Sequence, residues 1–305
     1  MVLPSALQYT YVATPCRSVT KIVTPRTQRE GAGFVIRRSI GGSFKEAETD
    51  PFLMLDELPP TDYKPGEFPG APWHPHRGMD TVMYVKRGRC GHEDSMGNKG
   101  VLTDGDCQWM TAASGIEHNE GTGHPGGVLH GFQCWINLPA AHKMDPPAYN
   151  DMTAASIPTV QPAPGVTAKV IVGQVAGTKA LVQPLVRVQY LDFMAEAGAT
   201  YDHALPDESF ATCVAHVYQG SGTFGAEAKE AKAGQALLFA QAGGGVHFTA
   251  GAEGLGFLLL AGVPLKETVV WHGPFVMNSQ QQIRQCFADY QSGNLIKHKA
   301  VFRQL

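Results

Sequence analysis

At 305 residues the chain is long enough for one large domain or two of about 150 residues each. Hydrophobic residues make up 43% and charged residues only 17%, with 24 Lys and Arg against 27 Asp and Glu, so packed cores are expected and the basic stripe of a direct nucleic-acid binder is excluded. The longest apolar run, residues 256–262, is far too short to cross a bilayer, which excludes a membrane-spanning helix.

The 35 Gly and 21 Pro suit many short strands joined by tight turns. The first 15 residues, MVLPSALQYTYVATP, carry no basic stretch ahead of their few apolar residues and make a poor signal peptide. The six cysteines (Cys16, Cys90, Cys107, Cys134, Cys213 and Cys286) include no CxxC pair. A reduced, cytoplasmic chain is the expectation.

Residues 1–30 carry little periodic pattern and read as an irregular arm. FVIRRSI, after Gly33, reads as a strand. Asp50 to Leu55 reads as another, ended by the Glu57-to-Pro60 segment, with Thr61 to Pro72 as loop. Thr81 to Val85 is strand, and His92 to Leu102 a hairpin turning at Ser95 to Asn98, where Gly and Asn tolerate positive φ. Lys99 and Gly100 read as residues of that turn. Cys107 to Thr111 and Gly131 to Asn137 are strands, with a turn over Ala112 to Gly115. Six prolines between Leu138 and Gly165 mark a connection between two lobes.

The second lobe repeats the first. His118 lies 13 positions after Gly105, and His247 lies 13 positions after Gly234. Such duplication of a β-domain implies barrels or sandwiches. Counting back from Gly220 as from Gly88 puts Pro206 and Glu208 where the first lobe has His74 and His76, with Thr249 at the place of Glu120. The second lobe is therefore expected to have lost its metal. Near the end, Asn278 or Ser279 is a helix N-cap, Ile283, Phe287 and Tyr290 form an apolar stripe, and Gly293 marks the stop.

Chemistry concentrates between Gly70 and Glu120. His74 and His76 are spaced i, i+2, as are His118 and Glu120, which puts each pair on one face of a strand. Two such strands aim three imidazoles and one carboxylate at one point. That donor set suits Fe, Mn, Co, Ni, Cu or Zn rather than Ca or Mg, and leaves coordination positions open. Trp73, Trp109, Met110 and Phe132 are candidate walls for a planar aromatic ligand, while Cys107 and Cys134 read as small buried hydrophobes. Arg77 should point away from the metal face, into a structural salt bridge.

The segments HPHRGMDTVMYVKRG, HEDSMGNKG, GDCQWMTAASGIEHNE and GPFVMN resemble the signature segments of the pirins, within the cupin superfamily. The resemblance runs roughly from Gly33 to Gly293. It implies an all-β fold of two cupin-type barrels (a bicupin) with a short C-terminal helix. The expected layout is a metal-binding barrel over 1–140, a Pro-rich linker over 141–164, and a second barrel with the helix over 165–305. The resemblance also implies iron on His74, His76, His118 and Glu120, and quercetin 2,3-dioxygenase activity on a small planar aromatic with O2. Glu120 is the candidate group for taking the substrate's proton. Where the family keeps a Glu four residues past the second histidine, this chain has Asp80, expected to orient a histidine from outside the ligand set. In eukaryotes the family is tied to the nucleus as transcriptional cofactors, so a redox-sensing monomer that binds a transcription factor is the alternative. A metal-dependent isomerase of small sugars or acids is a weaker one.

Overall fold

The computed structural model describes residues 16–302. Alternating large apolar and small or polar side chains set most of them into antiparallel strands, because successive residues of an extended chain face opposite sides. In the first lobe an eight-stranded sheet runs in the order Thr27–Glu30, Phe34–Ile40, Phe52–Tyr63, Gly127–Asn137, Met79–Arg87, Cys107–Thr111, Ala148–Met152 and Val301–Phe302. A four-stranded sheet of Ala71–His76, Ile116–Glu120, Cys90–Asp94 and Lys99–Leu102 completes that lobe. The second lobe is a nine-stranded sheet built around Thr212–Phe224 and the long strand Gly245–Gly262. No helix among the described residues is long and apolar enough to cross a membrane.

The lobes are filled differently. Phe193, Phe224, Phe248 and Phe257 pack ring against ring inside the second lobe. The first lobe's own cluster, from Ile36 and Leu58 to Leu129, is smaller. The largest apolar cluster belongs to both lobes, with Val82, Tyr84, Phe132 and Cys134 of the first and Tyr190, Val214 and Leu258 of the second.

Buried charge spans the same interface. Asp192, on strand Val188–Ala195 of the second lobe, accepts from Tyr84 Oη at 2.6 Å and Lys86 Nζ at 2.7 Å of the first, and from Tyr218 of its own lobe. Glu57 of the first lobe accepts from His130 at 3.3 Å and from His216 of the second lobe at 3.1 Å, with Arg37 at 3.3 Å. Burial alone would raise the Glu57 pKa, but the hydrogen bonds from His130 and His216 and the charges of His216 and Arg37 outweigh it and hold it at about 2. A carboxyl whose folded pKa lies below its unfolded value stabilises the fold above the unfolded value, near 4.5. That contribution, on the order of 3 kcal/mol, is lost as pH falls from there towards 2. In wild type, urea midpoints measured at stepped pH should fall across that window. Glu57→Gln should remove most of the slope.

Several expectations change. Within the expected arm over residues 1–30, the described part from Cys16 contains two strands, and the reading of the first 15 residues lies outside the described ones. Val19–Val23 pairs with Gln235–Phe239 of the second lobe, and Thr27–Glu30 with Phe34–Ile40 of the first. The strand expected to end by Pro60 continues to Tyr63. Its prolines sit where the ladder to the neighbouring strand skips between Leu129 and Gly131, so their missing N–H groups cost nothing there. The expected loop over Thr61 to Pro72 is shorter at both ends, since Ala71–His76 is already strand. The Pro-rich connection also pairs, giving Ala148–Met152 to the first lobe's sheet and Thr159–Ala163 to the second's. Lys99 and Gly100 begin a strand rather than a turn.

The helix Gln280–Gln291 starts as expected, with the Ser279 side chain accepting from the Gln282 amide, and Gly293 follows its end at φ 72°. Its buried row differs: Ile283, Cys286 and Asp289 face inward, with Phe287 half-buried and Tyr290 exposed. All six cysteines are free thiols, and Cys107 and Cys134 are fully buried.

Candidate metal centre

Strands Ala71–His76 and Ile116–Glu120 pair antiparallel so that His74 faces His118 and His76 faces Ile116. Alternation then puts all three imidazoles on one side, with ring centroids 4.4–5.0 Å apart. One nitrogen from each ring lies within 4.8 Å of the others. His76 and His118 are buried, and His74 is partly open.

The nitrogens are arranged for something other than protein. Nδ1 of His76 and both ring nitrogens of His118 are buried with no hydrogen-bond partner. His74 Nδ1 donates to the Pro72 carbonyl at 2.7 Å, which leaves the Nε2 lone pair free. Burial holds His76 and His118 well below the ordinary imidazole pKa, and neighbouring rings push the same way: His74 on His76, and His76 followed by His74 on His118. Neutral rings with open lone pairs, gathered at one point, are the donor set of a transition-metal site.

Glu120 stands beside this trio rather than inside its tight cluster. The ladder slips between His118 and Glu120, so Glu120 pairs with Ala71 on one side and His92 on the other. Glu120 lines the same cavity as His74 and His76 and is hydrogen-bonded by Gln133. Burial raises its pKa, against the opposing pull of His74, His92 and Gln133. Asp80 accepts from the Trp109 indole at 3.0 Å and is not among the clustered ligands.

The cavity over the histidines has a volume of about 690 Å³. Of the four side chains expected to wall it, only Trp73 does so, half-exposed at the rim. Trp109 and Phe132 face the interlobe cluster, while Met110, on the opposite face of the Trp109 strand, packs with Tyr149. The walls are instead Phe34, Phe68, Trp135 and Trp271. Trp135 meets His76 edge-on at 5.0 Å and Trp271 at 5.5 Å. Gln133 and Trp135 alternate with Phe132 and Cys134, so the period-two pattern of that strand already separated cavity from core. Trp271 comes from beyond both repeats and carried no such signal.

In the second lobe the strand pairing corrects the count. Opposite His247 lies Asp202, and opposite Gly245 lies Ala204, so these two, not Pro206 and Glu208, occupy the places of His74 and His76. The connection that follows is longer there, from Ala204 to Thr212 against His76 to Met79, which shifted the alignment. Thr249 does take the place of Glu120, and His247 Nδ1 lies 2.7 Å from Asp202.

Comparison with known proteins agrees with this architecture. Residues 33–136 match the Pirin family model, and residues 190–296 match that of the pirin C-terminal cupin domain. A Pseudomonas aeruginosa protein provisionally named a quercetin 2,3-dioxygenase is 39% identical over 300 residues, covering 92% of this chain and 99% of its own. A pirin-like protein of Solanum lycopersicum is 37% identical, covering 91% of this chain and 92% of its own. The crystal structure of quercetin 2,3-dioxygenase from Acinetobacter baumannii superposes with a TM-score of 0.85 at 28% identity, over 92% of this chain and 98% of that one.

Proposed function

The chain belongs to the pirin family, a pair of cupin barrels, and on that footing we propose that it is a metal-dependent dioxygenase able to open the heterocyclic ring of a flavonol such as quercetin. The observation that carries the reading is the cluster of three imidazoles, with His76 Nδ1 and both His118 nitrogens lacking partners, beside an aromatic-walled cavity that His74 and His76 line. Its volume lies within the range that holds one drug-sized molecule. In this reading His74, His76, His118 and Glu120 hold iron. The metal, when bound, supplies a Lewis acid for the substrate oxygen and a redox-active centre for O2.

The chain's own residues do the rest. Trp73, Trp135, Trp271 and Phe34 offer flat apolar walls to a planar ring system and keep water off its faces. The Glu120 carboxylate, steadied by Gln133, takes the proton of the substrate's enolic hydroxyl. Burial raises its pKa, which makes it a better base than a free surface carboxylate. The relatives named for quercetin 2,3-dioxygenase support the substrate class.

The test is turnover of quercetin by protein stripped of metal and reloaded one metal at a time. Equimolar loss of quercetin and O2, highest with Fe(II), is expected. Absence of turnover with every metal, while sugars or small acids are isomerised, would replace the oxygenase reading.

A further inference from the structure

We propose that Arg77 and Asp289 are positioning residues for the metal centre, tying the C-terminal helix to both histidine-bearing strands; this rests on the reading that the three histidines hold a metal. Arg77 follows His76 directly and points to the opposite face, where it is only 2% exposed. Its Nε donates to the Ser114 carbonyl at 2.6 Å, in the turn that leads into Ile116–Glu120 and so to His118. One terminal nitrogen donates to Asp289 Oδ2 at 2.8 Å on helix Gln280–Gln291, and the other to the Leu295 carbonyl at 3.0 Å beyond it. A single guanidinium therefore joins the His74–His76 strand, the entry to the His118 strand, and the C-terminal segment. Its rigid planar fork holds those three parts at fixed angles, which a flexible ammonium would not.

The same contact is locked along the backbone. Val276 donates to the Arg77 carbonyl at 3.0 Å, and the His76 ring donates to the Pro274 carbonyl. Gly78, at φ +91°, lets the Val276 carbonyl approach so closely that a Cβ there would lie 1.9 Å from it. A second buried cation, Lys143, donates to the carbonyls of both Gly78 and Val276. Asp289 Oδ1 accepts from Gln285 at 2.8 Å, and Lys297 Nζ shares Oδ2 with Arg77 at 3.2 Å. A buried ion pair adds little net stability over an apolar pair of the same volume. What this arrangement does supply is a fixed placement of the end of the His76 strand and the turn that enters the His118 strand against the C-terminal segment, which sets how the paired rings are presented.

The test uses the full chain with Co(II) as probe, reading the dissociation constant by chelator competition and ligand geometry by the visible d–d spectrum. Asp289→Asn keeps shape and removes charge. It should weaken Co(II) binding by about 10–100-fold, as changes just outside a ligand set commonly do, and shift the d–d bands. Arg77→Lys, which keeps charge but loses the fork, should do the same and serves if Asp289→Asn does not fold. Phe224→Leu, in the core of the second lobe, is the control for lowered stability alone and should leave affinity and spectrum unchanged. Folded Asp289→Asn or Arg77→Lys protein with wild-type affinity and spectrum would overturn the proposal, as would an equal loss in Phe224→Leu. Failure of wild-type protein to bind Co(II) would instead overturn the metal reading beneath it.

Discussion

His118→Ala should lose nearly all bound metal and all oxygenase turnover while the metal-free protein remains as stable as wild type, or close to it. Most buried histidines repay their desolvation with hydrogen bonds. Both ring nitrogens of His118 are buried without a partner, so the imidazole carries a cost in the metal-free fold that its truncation partly relieves. The large effect appears only with metal present. A ligand at about 1,000 times its dissociation constant adds about 4 kcal/mol to the folded state, and that increment should vanish in the variant. His247→Ala is the contrast. Its ring faces Asp202 and Thr249, not further imidazoles, so metal content and turnover should stay near wild type. Elemental analysis with thermal melts, with and without added metal, decides both. Full metal content in His118→Ala would remove it from the ligand set.

Asp192→Ala should destabilise the protein by about 3–5 kcal/mol, the usual result of removing one partner from a buried charge network. Asp192 is 3% exposed and serves Tyr84, Lys86 and Tyr218 at once. Without it two buried phenols and an ammonium that is 22% exposed lose their shared acceptor between the lobes. Asp192→Asn retains an acceptor and should cost less than half as much. Urea unfolding midpoints, with the slope checked for constancy, measure both. A loss below about 1 kcal/mol, the scale of an exposed pair, would mean that Lys86 and the tyrosines find other partners.

The strands around the site were legible because each histidine pair sits on a short element whose side is fixed by alternation alone. His74, His76 and His118 converge as their spacing implies. The family segments also extend the all-β reading across both lobes, in agreement with the matched regions. What escaped depended on partners distant in sequence. Val19–Val23 is half-exposed and unpatterned until Gln235–Phe239 lies beside it. Asp289 breaks the apolar stripe of its helix, and the buried Arg77, 212 positions earlier, gives the inward-facing carboxylate its partner. Trp271 becomes a cavity wall through a C-terminal hairpin that neither repeat contains. In the second lobe a longer connection hid Asp202 and Ala204 from residue counting, and strand pairing recovered them.

Anomalous diffraction from crystals of protein purified without added metal, collected on both sides of the iron edge, puts the central claim to the most direct test. One peak that appears only above the edge, within bonding distance of His74, His76 and His118 and with none beside His247, is the predicted result. A peak elsewhere, or metal-replete crystals with no peak among those three rings, would contradict it.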